Sequence, residues 1–88
     1  MTYQVTYRAD GWVRAESGAP QWRQVVIVDL DDGAQLVVVV VRGAWGAPPR
    51  VAEARIEQAY ITRTAGWKRR TVQRLRPHEV ELVGEVSA

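Results

Sequence analysis

Half of the basic side chains in this sequence fall within fourteen positions. Arg63, Lys68, Arg69, Arg70, Arg74 and Arg76 stand there with no acidic residue between them, and Trp67 lies among them. Guanidinium groups grip phosphate oxygens two at a time, and an indole offers a flat face on which a base can stack. The contrast with the flanks is sharp. Residues 1–62 hold six arginines against seven acids (−1), residues 63–76 carry +6, and residues 77–88 carry three glutamates (−3), giving the net +2. The segment 63–76 is therefore expected to meet a nucleic acid or another polyanion. Neutralising about five phosphates would make its affinity fall steeply with salt. The competing expectation is a solvated face whose arginines pair with Glu79, Glu81 and Glu85 across neighbouring strands. RNP aromatics and helix-turn-helix patterning do not accompany the cluster.

The remaining tryptophans supply a second chemistry. Trp12, Trp22 and Trp45, like Trp67, each lie near a glycine or proline turn. Tryptophans at loop tips can anchor a protein partner, or they can close the ends of a small core. Trp12 and Trp45 are the candidates for protein contact. An adaptor, inhibitor or assembly component presenting them is the alternative function.

Catalytic and metal chemistry find little support. The run Asp29-Leu30-Asp31-Asp32-Gly33 is acidic but lacks the distal glutamate of a calcium loop, and aspartate and glycine explain it as a turn. There is no cysteine, and His78 is the sole histidine, so no metal site and no cofactor is expected. The serines, Ser17 and Ser87, have no base and orienting group suggested around them. A metal-independent ribonuclease using His78, Arg74, Arg76 and Tyr60 is the weaker enzymatic alternative, and the expectation is a non-enzymatic binding protein.

These groups must be positioned by a thin framework. Eighty-eight residues make one domain, 47% hydrophobic and 25% charged, which excludes disorder. The longest apolar run, Leu36 to Val41, is far short of the ~20 residues of a membrane helix. The opening residues lack the pattern of a signal peptide, so a cytoplasmic location is expected. The surplus of arginine over the single Lys68 reflects a GC-rich coding source more than chemistry.

Strands dominate the expected elements. Tyr3, Val5 and Tyr7 alternate with Gln4, Thr6 and Arg8, and Asp10-Gly11 reads as the turn of a first hairpin that continues over residues 12–16. A second hairpin runs from Gln24 to Asp29 and from Gln35 to Arg42. A three-residue loop there pairs Val28 with Leu36 and Val26 with Val38. Both faces of this hairpin are apolar, so its strands must be central and covered on both sides. The supply of cover is short: either the sheet closes on itself, or a second subunit forms a homodimer. Residues 51–62 are ambiguous. Their alanine, glutamate and glutamine favour a helix around 50–63, while Ala52, Ala54 and Ile56 also alternate as a strand would. Arg63-Thr64-Ala65-Gly66-Trp67 echoes Arg8-Ala9-Asp10-Gly11-Trp12, which on the strand reading makes 64–67 a hairpin turn. Thr71–Arg76 and Glu79–Val86 complete the chain as strands around Pro77. The expected class is α+β: an antiparallel sheet of about six strands, with two N-terminal hairpins, one helix and two C-terminal strands. An all-β barrel or sandwich is the alternative.

Overall fold

In the computed structural model, residues 2–14, 21–43 and 54–86 are described. Among these residues seven strands are found: β1 (Tyr3–Arg8), β2 (Val13–Arg14), β3 (Trp22–Asp29), β4 (Ala34–Arg42), β5 (Arg55–Ala65), β6 (Lys68–Arg74) and β7 (Val80–Val86). Among the described residues, helical backbone is confined to two 3-10 turns, Asp31–Gly33 and Pro77–Glu79. The strands form an antiparallel sheet in the order β2-β3-β4-β5-β6, and a separate parallel pair of β1 with β7.

The β3–β4 hairpin has the register its pattern demands. Val28 faces Leu36 and Val26 faces Val38, and the Leu30 amide donates to the Ala34 carbonyl at 2.9 Å to close the loop. Gly33 sits in the loop at φ 73°, a left-handed conformation that glycine adopts without strain. The inner face of the sheet, with Ala34, Leu36, Val38, Val40, Ala59 and Ile61, is covered by Val5 and Tyr7 of β1 and Val80 of β7. Leu36 is 1% exposed, and burying such a side chain stabilises by roughly 1.5–3 kcal/mol. The outer face is covered unevenly. Val37 and Val41 are buried, Val39 is half-buried, and Val25 and Ile27 stand more than half exposed.

Two expectations are corrected here. The α+β class gives way to an all-β fold, because the stretch expected as a helix around 50–63 is strand β5 from Arg55 onward; residues 44–53 lie outside the described part. Pairing with β4 overrides helix propensity, since Ile56, Ala59 and Ile61 meet Val40, Val38 and Leu36 on the buried face. A β-bulge interrupts the strand alternation of this stretch. Val39 faces Gln58 and Val40 faces Ile56, so Glu57 is an extra residue and the inward positions run 56, 59, 61.

The first N-terminal hairpin is the second correction. β1 pairs with β7 in parallel, Tyr3 facing Val80 and Val5 facing Leu82, while the two residues of β2 pair with β3. After Arg8 the chain is held by a side chain instead of a second strand. The Arg8 amide donates to Gln24 Oε1 at 2.7 Å, and Gln24 Nε2 donates to the Arg8 carbonyl at 2.9 Å. Gln24 is buried at 6% exposure, and this pincer satisfies both ends of its amide. A methyl group at Gly11 would come within 3.0 Å of Gln24 Oε1, so glycine is what lets the chain pass this close.

Candidate nucleic-acid interface

The basic segment folds as the outer strand of a hairpin. β5 and β6 pair with Tyr60 facing Arg74, Thr62 facing Thr71, Arg63 facing Arg70, Thr64 facing Arg69 and Ala65 facing Lys68. Gly66, at φ 66°, makes the turn that puts Trp67 at the tip. The echo of Arg8–Trp12 in residues 63–67 thus marks a real turn at its second occurrence. β4 begins at Ala34, which faces Arg63, so Thr64, Ala65 and the turn run on with no third strand beside them among the described residues.

Every residue from Arg63 to Arg74 is exposed, and Trp67 is 87% exposed. Cross-strand partners share a face and successive residues alternate, so Arg63, Lys68 and Arg70 lie on one side of the ribbon while Arg69 and Arg74 lie on the other. A bulge falls at Val72, between the pairs Ile61–Gln73 and Thr62–Thr71, and that valine, like the rest of the strand, is exposed (57%). Five of the six cations therefore belong to one exposed hairpin, yet they do not form a single flat platform.

Local contacts order the group. Arg69 donates through Nη1 to Thr62 Oγ1 at 3.0 Å, and Lys68 Nζ lies 4.6 Å from the Trp67 ring centre. Arg76 lies past the strand, where its amide donates to Glu79 Oε1 at 3.4 Å across the second 3-10 turn. Among the described residues, Lys68, Arg69, Arg70 and Arg74 have no carboxylate partner; the ion pairs Arg8–Asp10 and Arg23–Glu57 lie elsewhere. β7 adjoins β1 and not β6, and Glu81 faces Gln4 across the ladder. Arg63 and Arg70 stand directly opposite each other in the ladder.

Thr62 was not among the residues singled out by type, yet it is 7% exposed and fixes Arg69. Its signal in the sequence is faint: alternating Thr62 and Thr64 in a run that otherwise resembles a helix. Trp12 is half-buried, edge-on to Tyr7 with ring centres 5.7 Å apart, and Arg42 sits over it at 5.8 Å. Trp45 lies outside the described residues. His78 is exposed in the second 3-10 turn, and no group of three or more His, Asp or Glu capable of holding a metal occurs among the described residues. No described helix is long and apolar enough to cross a membrane.

The chain matches no protein-family model, and no curated protein or solved structure is significantly similar to it.

Proposed function

We propose that the protein is a non-enzymatic, nucleic-acid-binding accessory protein whose β5–β6 hairpin engages phosphates. The observation that carries this reading is the exposure of Lys68, Arg69, Arg70 and Arg74 on one hairpin without a carboxylate partner among the described residues. Charged residues on an edge strand also discourage pairing with other chains. One or two would suffice for that; β6 devotes four of its seven residues to positive charge.

Contact with about five phosphates gives a slope near −4.5 for log affinity against log salt on a duplex. Retention on heparin or DNA should therefore vanish between low and moderate salt. Replacing Arg69, Arg70 and Arg74 together by glutamine should abolish it while leaving the fold intact. Unchanged retention of that variant removes the hairpin from the site.

A second reading, contact with protein, is favoured by the outer sheet face, where Val13, Val25 and Ile27 are 68%, 55% and 57% exposed. The occupant we propose is a second copy of the chain. Arg23 and Glu57, paired at 2.7 Å beside this patch, offer both charges to a two-fold-related neighbour. A monomeric mass at micromolar concentration refutes the homodimer. A dimer that Ile27→Lys converts to monomer supports it.

A further inference from the structure

We infer that the β5–β6 hairpin enters the major groove of B-form duplex DNA tip first, with Trp67 against the base edges and cations on both flanking phosphate backbones. This rests on the polyanion reading above and narrows it to one substrate.

The distribution of charge selects the duplex. A surface that binds along a single backbone needs its cations on one side. Here Arg63, Lys68 and Arg70 project from one face of the ribbon, and Arg69 and Arg74 from the other. A ribbon lying between two phosphate walls uses both faces. The major groove, about 12 Å wide, admits a two-stranded ribbon, whereas the undistorted minor groove, about 6 Å wide, does not.

The reach agrees. Beyond Arg63 the hairpin extends past β4 by Thr64, Ala65 and the turn, about three residues or ~10 Å at ~3.3 Å each. The groove is about 8.5 Å deep. Gly66 turns the chain at φ 66° and leaves Trp67, the residue that would touch bases, 87% exposed at the turn.

The aromatic content argues against the single strand. Platforms for single-stranded nucleic acid stack successive bases on successive aromatic rings. The hairpin tip carries one ring, and Lys68 already lies over it. A-form RNA duplexes close their major groove to protein elements, so they are a natural control.

The test is fluorescence anisotropy of the full chain with one sequence presented as duplex DNA, single-stranded DNA and duplex RNA. The expected result is tightest binding to duplex DNA, displacement by methyl green, which occupies the major groove, and indifference to netropsin, which occupies the minor groove. Trp67→Ala should weaken duplex binding about ten-fold with an unchanged salt slope, because it removes a base contact and no phosphate contact. Arg69→Gln and Arg70→Gln should each flatten the slope by about 0.9. Equal or tighter binding to single-stranded DNA or RNA duplex, or displacement by netropsin alone, overturns groove entry and leaves polyanion binding standing. Absence of binding to all three nucleic acids and to heparin at low salt overturns both. Trp67 is exposed at a turn, so its truncation leaves folding intact, and a thermal melt of the variant verifies this.

Discussion

The β3–β4 and β5–β6 hairpins are built alike and used oppositely. Each closes through a glycine in the left-handed region, Gly33 at φ 73° and Gly66 at φ 66°, and each pairs antiparallel over at least six residues. One carries valine on both faces and lies within the sheet. The other ends in cations on both faces and leaves the sheet as its edge. Backbone pairing is indifferent to this choice. What differs is the medium each pair of faces meets: apolar side chains on the one hand, solvent and a charged ligand on the other. Among the described residues, β1 and β7 cover the inner face of the sheet, and the cationic strand lies outside that core.

If that division is real, truncations on the two hairpins should cost very different amounts. Leu36→Ala removes a side chain that is 1% exposed and should destabilise the fold by about 3 kcal/mol, read as a lower urea midpoint at constant m-value. Val72→Ala, at 57% exposure on the bulge of β6, should cost less than about 0.5 kcal/mol. Similar costs at both sites would mean that the β5–β6 hairpin is packed against something, and the contrast would fail.

The same contrast explains how much of the molecule its sequence discloses. The β3–β4 register follows from the turn: both faces are apolar, so alternation alone would tolerate a slip, and the three-residue loop Asp31–Gly33 is what pairs Val28 with Leu36 and Val26 with Val38. The inward alternation of β5 is interrupted by a bulge at Glu57, in the very stretch whose alanine, glutamate and glutamine favour a helix. Local propensity then favours the wrong element. The β1–β7 pair joins residues at opposite ends of the chain, so no local pattern records it, and the nearby Asp10-Gly11 turn points to a hairpin with residues 12–16 instead. The cationic segment was legible as composition. Its division between two faces was not, since that depends on the bulge at Val72 and on β5 being a strand at all.

The turn glycines sharpen the comparison at smaller scale. A methyl group at either Gly33 or Gly66 would meet nothing within 4 Å, so replacement by alanine costs only backbone strain, about 1 kcal/mol or somewhat more at each site. The consequences should separate. Gly33→Ala should affect thermal stability alone, while Gly66→Ala should also weaken DNA binding by displacing Trp67. Equal DNA affinity in both variants would show that the tip is not a contact.

A charge exchange on the ribbon should trade stability against binding. Arg70→Glu places a carboxylate opposite Arg63 where two guanidinium groups now face each other, and a favourable cross-strand pair contributes roughly 0.2–1 kcal/mol. The variant should melt at an equal or slightly higher temperature and bind DNA with a flatter salt slope. A melting temperature that falls with the substitution would show that Arg70 has a structural duty, contrary to its place on an open edge.

Arg8 provides the opposite case, an arginine that has its carboxylate. Its Nε lies 3.1 Å from Asp10 Oδ1, and the hydrogen bond from Arg8 holds the Asp10 carboxyl below its ordinary value. A depressed carboxyl adds stability above its unfolded pKa of about 3.9, and that stability is lost as pH falls through the lower folded value. Asp10→Asn should therefore separate slightly from the parent near neutrality and converge with it in acid, in melts at matched ionic strength. Both side chains are more than half exposed, so solvent screening keeps this the smallest of the expected changes. A gap that widens in acid would reverse the sign and place the Asp10 carboxyl in a different environment from the one Arg8 provides.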